Sequence, residues 1–272
     1  MSKRERMMSV GQTHPGLVRD RNEDSFFADA PNCFWVVADG MGGHSGGDQA
    51  SEAITQLMRI TQLPSAFVPS SHTLSDAIYS ANQAIWERSQ ELGEQMGSTI
   101  VTLYVREGRY AIMWVGDSRA YLLRRGELAR LSRDHSQVQA MVDAGTLSEE
   151  EAEEHPMAHV LSRALGVAPQ VDIDATAGSV RPGDVFLLCS DGLTGLVSDA
   201  EISDIVNSTT IDDAVEELLE LVMERGAPDN VTIVLAEVAA ATRLELDDDG
   251  VQDAPDTIQG DDPAGDQAGA LS

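Results

Sequence analysis

Basic side chains are scarce. Eighteen Lys and Arg stand against 46 Asp and Glu in 272 residues, a formal net charge of −28. Nucleic-acid phosphates and anionic lipid surfaces should repel such a chain, so neither nucleic acid nor membrane is expected as a partner, although a local positive site for one phosphate stays open. Cysteine is nearly absent. Cys33 and Cys189 show no metal-ligand spacing and lie in the apolar runs Cys33-Phe34-Trp35 and Phe186-Leu187-Leu188-Cys189, as buried thiols of a reducing compartment do. Long apolar runs are missing as well. The basic opening residues Met1 to Arg6 are not followed by the apolar stretch of about 7 to 15 residues that a secretion signal needs, and nowhere do about 18 apolar residues run together. A cytoplasmic location is expected.

The length suffices for a sizeable core without disulfides or other staples. Composition changes near residue 241: from there to Ser272 the chain holds nine acids and one base with Pro, Gly and Gln and no hydrophobic periodicity. Such a segment buries too little apolar surface to offset its ordering entropy, so residues 241–272 are expected to be a disordered acidic tail behind a folded domain at 1–240.

Within the domain, short β-branched or aromatic runs predict strands at 7–13, 24–29, 33–38, 99–106, 109–116, 119–125, 171–176, 184–190 and 230–238. The turns Arg106-Glu107-Gly108-Arg109 and Arg124-Arg125-Gly126-Glu127 are short enough for hairpins, which demand antiparallel pairing. Helices are predicted at 46–61, 72–92, 134–144, 148–154, 199–207 and 211–225; Ser198 with Glu201, and Ser148 with Glu151, have capping-box spacing. Hairpins grouped between amphipathic helices point to an α+β fold in which packed sheets are covered by helices.

The informative chemistry is a set of aspartates where apolar runs end or begin: Val36-Val37-Ala38-Asp39-Gly40, Trp114-Val115-Gly116-Asp117-Ser118, Leu188-Cys189-Ser190-Asp191-Gly192, and Pro228-Asp229-Asn230 ahead of Val231. One such Asp is most often a turn residue capping local amides. Four together raise a second reading, carboxylates gathered at one end of a sandwich, where they repel one another unless a cation joins them. Ligation by oxygen alone favours Mg²⁺ or Mn²⁺ over Zn²⁺. Asp247-Asp248-Asp249-Gly250 lacks the alternating ligands and closing Glu of an EF-hand. The stretch Arg19-Asp20-Arg21-Asn22-Glu23-Asp24 reads either as a solvated charged turn or as the place where a guanidinium grips two phosphoryl oxygens. The loop from Gly40 to Gly47 follows a strand and precedes a helix, but Ser45 breaks the Gly-x-Gly-x-x-Gly spacing and no P-loop occurs; small residues there would let backbone carbonyls approach a metal held by Asp39.

Taken in order, Arg19-x-x-Asn22-Glu23-Asp24, Val37-Ala38-Asp39-Gly40-Met41-Gly42-Gly43-His44, Gly97-Ser98-Thr99, Gly116-Asp117-Ser118-Arg119-Ala120-Tyr121, Asp134-His135-Ser136, Ser190-Asp191-Gly192 and Asp229-Asn230 closely resemble the bacterial branch of the metal-dependent protein phosphatases, also called protein phosphatase 2C-like serine/threonine phosphatases. Each motif is weak alone; the ordered series, spread over residues 8–238, is specific. The resemblance implies a four-layer αββα sandwich of two antiparallel sheets, with two Mn²⁺ or Mg²⁺ ions in the cleft. By similarity Asp39 bridges the ions, the Gly40 carbonyl joins the first, Asp191 and Asp229 hold the second, and Asp117 with Asp191 would hold a weaker third. Arg19 would bind the substrate phosphate, while Glu23 and Asp24 would hold metal-bound waters. A hydroxide bridging the metals would then attack phosphorus without a protein nucleophile.

Many eukaryotic relatives have a histidine where this chain has Met41, which cannot protonate the leaving oxygen; bacterial members commonly share the methionine, and the role of His44, three residues on, stays open. Residues 134–166 correspond to the family's mobile flap beside the cleft, and read equally well as two short surface helices. The resemblance implies an enzyme that removes phosphate from Ser and Thr of proteins and opposes a bacterial Ser/Thr kinase. The alternative is a catalytically silent adaptor of the same fold that binds phosphoproteins; it predicts lost carboxylates, whereas the whole set is present. A third reading makes the acidic tail an interaction arm. With no clear dimer-forming element, a monomer is expected.

Overall fold

The computed structural model describes residues 5–42, 46–148, 151–152, 155–157 and 160–239. The tail assigned to 241–272, the loop residue His44 and part of the helix predicted at 148–154 lie outside them. The strands are β1 (Met7–His14), β2 (Asp24–Asp29), β3 (Phe34–Gly42), β4 (Met96–Ser98), β5 (Ile100–Arg106), β6 (Arg109–Val115), β7 (Arg119–Arg124), β8 (Glu127–Arg130), β9 (Asp174–Ser179), β10 (Val185–Cys189) and β11 (Val231–Val238). The helices are α1 (Gly46–Ile60), α2 (Phe67–Leu92), α3 (Gln137–Asp143), α4 (Asp191–Thr194), α5 (Asp199–Ser208) and α6 (Ile211–Glu224).

Two antiparallel sheets result, one in the order β1-β11-β10-β7-β8 and the other β2-β3-β5-β6-β9, with β4 paired to β3. Both expected hairpins form. Glu107 and Gly108, and likewise Arg125 and Gly126, have positive φ, the two-residue geometry whose twist suits antiparallel neighbours. The capping boxes close too: Ser198 Oγ accepts from Glu201 N while Glu201 Oε2 accepts from Ser198 N, and Ser148 and Glu151 exchange the same pair of bonds.

Alternation along the strands builds four layers. On β3, Val36 and Ala38 pack with Ala50, Ile54 and Met58 of α1 and Leu74 and Ile78 of α2. Trp35 and Val37, on the opposite face, meet Leu122, Phe186, Leu188 and Val234 of the other sheet. The far face of that sheet, with Leu187, Cys189, Ile233 and Leu235, buries against Ile202 and Ile205 of α5 and Leu218 and Val222 of α6. Each fully buried Leu or Ile contributes roughly 1.5–3 kcal/mol, and the three apolar layers order the stack as α, β, β, α. Cys33 and Cys189 are buried free thiols, as their apolar neighbours suggested.

The elements differ from expectation at a few places. Helix α2 begins at Phe67 rather than 72, because Pro69 in the first turn gives up no hydrogen bond there. The strand expected at 171–176 is Asp174–Ser179; Val171 and Ile173 pack against the core beneath α1 and α2 before the strand starts. β4, β8 and α4 were not anticipated.

Candidate active site

The space between the sheets turns polar at one end. The inward-facing series on β2 runs from Phe26 to Asp24, on β3 from Val37 to Asp39, on β10 from Leu188 to Ser190, and on β11 from Val234 to Thr232. In the β2–β3 register Asp24 is directly opposite Asp39, so two carboxylates share one face of neighbouring strands, an arrangement that costs stability when both are charged. Asp117 follows β6, Asp191 opens α4 directly after β10, and Asp229 precedes β11. All five belong to one electrostatic cluster. Burial and the charges of Asp24, Asp191, Asp117 and Asp229 push the Asp39 carboxyl well above the ordinary carboxylate range. Burial first, and then Asp191, push Asp117 up to about 8. Burial likewise pushes Asp24 up to about 7, against hydrogen bonds from Ser190 and Thr232 and with the charges of Asp191 and Asp229.

The remaining motif residues hold these carboxylates in place. Thr99 clamps the strand end that carries Asp39: its Oγ1 accepts from Asp39 N at 3.0 Å and its amide donates to the Asp39 carbonyl at 2.8 Å. Ser98 Oγ adds a second donor to that carbonyl, and Thr99 Oγ1 lies 2.7 Å from Ser118 Oγ, linking the clamp to the Asp117 loop. Asn230 staples the residue 15–23 loop beside Asp229. Its Nδ2 donates to the carbonyls of Pro15 and Arg21, and its Oδ1 accepts from Glu23 N at 2.8 Å. The loop thereby brings Arg19 to Asp229, where the guanidinium donates to Oδ2 at 2.8 Å from a side chain that is 55% exposed. Glu23 is partly buried, and that burial raises its pKa.

The glycines between β3 and α1 serve packing. A Cβ on Gly40 would lie 2.0 Å from the Gly47 carbonyl oxygen, and one on Gly47 would press on the Glu23 carboxylate at 2.7 Å. The strand end and the start of α1 can therefore meet only as glycines, and Gly40 N donates to the Glu23 carbonyl.

The donor set fits hard divalent cations. Asp24 Oδ1 is buried without a hydrogen-bond partner, and burial together with neighbouring carboxylates raises the pKa values of Asp24, Asp39 and Asp117, which is the signature of a place that positive charge completes. Among the described residues no three acidic, His or Cys side chains lie close enough to enclose an ion by themselves. The donor type, carboxylate and carbonyl oxygen without His or Cys, suits Mg²⁺ or Mn²⁺ better than Zn²⁺.

The protein phosphatase 2C family model matches residues 17–237. The chain belongs to this family. The serine/threonine protein phosphatase PstP of Mycobacterium tuberculosis is 38% identical over 226 residues, which are 82% of this chain and 43% of that protein, so the chain spans less than half the length of this relative. The solved structure of PppA, described as a key regulatory component of T6SS in Pseudomonas aeruginosa, superposes with a TM-score of 0.79 at 38% identity over 85% of this chain and 97% of that one. The catalytic domain of PstP in complex with two manganese ions superposes with a TM-score of 0.79 at 34% identity over 86% and 99%.

In this phosphatase 2C chain the predicted site residues Arg19, Glu23, Asp24, Asp39, Gly40, Asp117, Asp191 and Asp229 all come to the same end of the sandwich. Residues that the sequence pointed to only as parts of motifs have structural work there. Asp134 accepts a bidentate bond from Arg119 and pairs with Arg130. His135 Nδ1 accepts from Gly116 N, which places its proton on Nε2, 3.2 Å from Asp174 Oδ2. The described part of the 134–166 segment is tied to the site strands by His135 N donating to the Gly116 carbonyl at 2.9 Å and by the Ser98–Leu165 bridge. Together with Asp117, Asp191 and the start of α5 it lines a cavity of about 690 Å³. Of the two helices expected in this segment, α3 (Gln137–Asp143) is present and lines that cavity through Val138, Gln139 and Val142.

Proposed function

We propose that this chain is a metal-dependent phosphatase that hydrolyses phosphoserine and phosphothreonine in proteins. The observation that carries the reading is the convergence of five mutually repelling carboxylates with an exposed guanidinium, Arg19, at one mouth between two sheets. Asp39, the Gly40 carbonyl, Asp191 and Asp229 would hold two Mn²⁺ or Mg²⁺ ions, with Asp117 and Asp191 available to a weaker third. Bound there, the ions supply Lewis acidity that activates water and spreads phosphoryl charge. The chain's own part is placement. Arg19 reaches the phosphoryl oxygens from the rim, Asp24 and Glu23 accept hydrogen bonds from water inside it, and Met41 contributes no proton to the leaving oxygen. The domain at 1–240 carries the activity, and the acidic segment 241–272 takes no part in the chemistry. Phosphorylated proteins and the Ser/Thr kinase that makes them are the partners, in the cytoplasm, with the chain a monomer; no described helix is long and apolar enough to cross a membrane.

The test is hydrolysis of p-nitrophenyl phosphate and of a phosphothreonine peptide by the purified chain in EDTA, Mg²⁺ or Mn²⁺. Turnover that depends on metal is expected; none with any metal, in folded protein, would favour a phosphoprotein-binding adaptor. In the same assay Arg19→Ala should raise KM for the phosphopeptide roughly 10- to 100-fold, as loss of a charge-assisted contact does, with a smaller fall in kcat. An unmoved KM would remove Arg19 from phosphate binding.

A further inference from the structure

Four polar residues that carry no assigned role lead from the surface to Asp24. Asn22 Nδ2 donates to Thr13 Oγ1 at 2.8 Å, Thr13 Oγ1 lies 2.7 Å from Thr232 Oγ1, and Thr232 Oγ1 donates to Asp24 Oδ2 at 2.7 Å. Ser190 Oγ donates to the same oxygen at 2.7 Å and accepts from Thr232 N at 2.9 Å. Proton counting fixes the direction of the chain. A hydroxyl has one proton; that of Thr232 goes to the carboxylate, so Thr13 must donate to Thr232, and Thr13 in turn accepts from Asn22. The Asn22 amide is itself oriented, because its Oδ1 accepts from Asp24 N at 3.1 Å.

The result is asymmetry within one carboxylate. Oδ2 takes two hydroxyl donors from β11 and the end of β10, in one sheet, while Asp24 starts β2 of the other. Oδ1 has none and is buried. A side chain pinned through one oxygen cannot turn, so the other oxygen keeps a fixed aim within the carboxylate cluster. We infer that Thr232 and Ser190, with Thr13 and Asn22 behind them, form a directed hydrogen-bond relay that positions Asp24 so that its free oxygen serves the site's divalent cation and the water around it.

This rests on the metal-dependent phosphatase reading, and its test is chosen to fail separately from it. Mn²⁺ alone is titrated calorimetrically into the full chain as wild type, Thr232→Val, Thr232→Ser and Thr13→Ala, with melting temperature and p-nitrophenyl phosphate turnover recorded alongside. Loss of an outer partner typically weakens metal affinity by about 10- to 100-fold. Thr232→Val, which keeps the shape and loses the hydroxyl, should show a loss of that size. Thr232→Ser, which keeps the hydroxyl and loses a methyl, should stay close to wild type. Thr13→Ala, at the exposed end of the chain, should lose less than Thr232→Val, and the double variant should be no weaker than Thr232→Val alone, since Thr13 acts through Thr232. Unchanged Mn²⁺ affinity in folded Thr232→Val overturns the inference, as does a Thr232→Ser variant as weak as the valine one, because packing would then be the cause. If Thr232→Val does not fold, wild-type affinity in a Thr13→Ala/Asn22→Ala variant overturns it. A wild type that binds Mn²⁺ through this relay and hydrolyses nothing leaves the relay standing and defeats the phosphatase reading.

Discussion

Replacing Asp39 by alanine is expected to remove nearly all turnover, on the order of a thousandfold or more, while the domain stays folded. Asp39 is the carboxylate on which Asp24, Asp191, Asp117 and Asp229 all act, and it stands on the inner face of β3 opposite Asp24. Removing it takes away the ligand common to both proposed ions. The fold should tolerate the change because no apolar layer depends on Asp39 and because the clamp from Ser98 and Thr99 grips its backbone rather than its side chain. Deleting one of the crowded carboxyls should even raise the melting temperature in EDTA at alkaline pH, where the cluster is forced to ionise. Kinetics on p-nitrophenyl phosphate in Mn²⁺ and a thermal melt in EDTA check both halves; near wild-type turnover would sink the assigned role.

The metal-free protein should lose stability as pH rises from about 4 to about 8. Asp24 has its folded pKa raised to about 7 and Asp117 to about 8, and Asp39 moves in the same direction. Between the unfolded and folded values the native state binds more protons than the unfolded state, so unfolding free energy falls with pH across that window. A tenfold change in proton affinity corresponds to about 1.4 kcal/mol, so Asp24 alone accounts for on the order of 4 kcal/mol; the three carboxylates repel one another, and their contributions do not simply add. His135 works the other way, since burial lowers its pKa and its protonation opposes folding in acid, but it is one group against Asp24, Asp39, Asp117 and Glu23. Saturating Mn²⁺ should flatten or reverse the dependence by holding the carboxylates ionised. Urea unfolding at pH 5 and pH 8, in EDTA and in Mn²⁺, reads this directly. Equal stability at the two pH values without metal would mean that the carboxylates are hydrated rather than crowded.

Local patterns made much of the fold legible. The hairpins at 106–109 and 124–127 follow from Glu-Gly and Arg-Gly turns, the helix behind Ser198 from its capping box, and the helix at 211–224 from its apolar periodicity. Strands β4 and β8 escaped because three or four residues carry too little pattern; Met96–Ser98 is a strand only because β3 extends to pair with it. At the site, the aspartates were visible because each stands at the end of an apolar run. Thr13 and Thr232 were not, although the same alternation puts them on the inner face, because a threonine in a strand is ordinary and its partner lies 219 residues away. Asn230 was visible in a motif, but its three bonds to the residue 15–23 loop require knowing that β11 pairs beside β1.

The strand furthest along the chain, β11, lies inside its sheet, between β1 and β10. It brings Asp229 and Thr232 to groups from near the beginning, Arg19 and Asp24, more than two hundred residues earlier. During synthesis the sheet therefore has an open slot until almost the whole domain has left the ribosome, and neither the Arg19–Asp229 pair nor the carboxylate cluster can be complete before that slot is filled. A fragment released early would have most of the fold's apolar surface and none of its chemistry. Completion of translation is thus built into the topology as the condition for assembling the site.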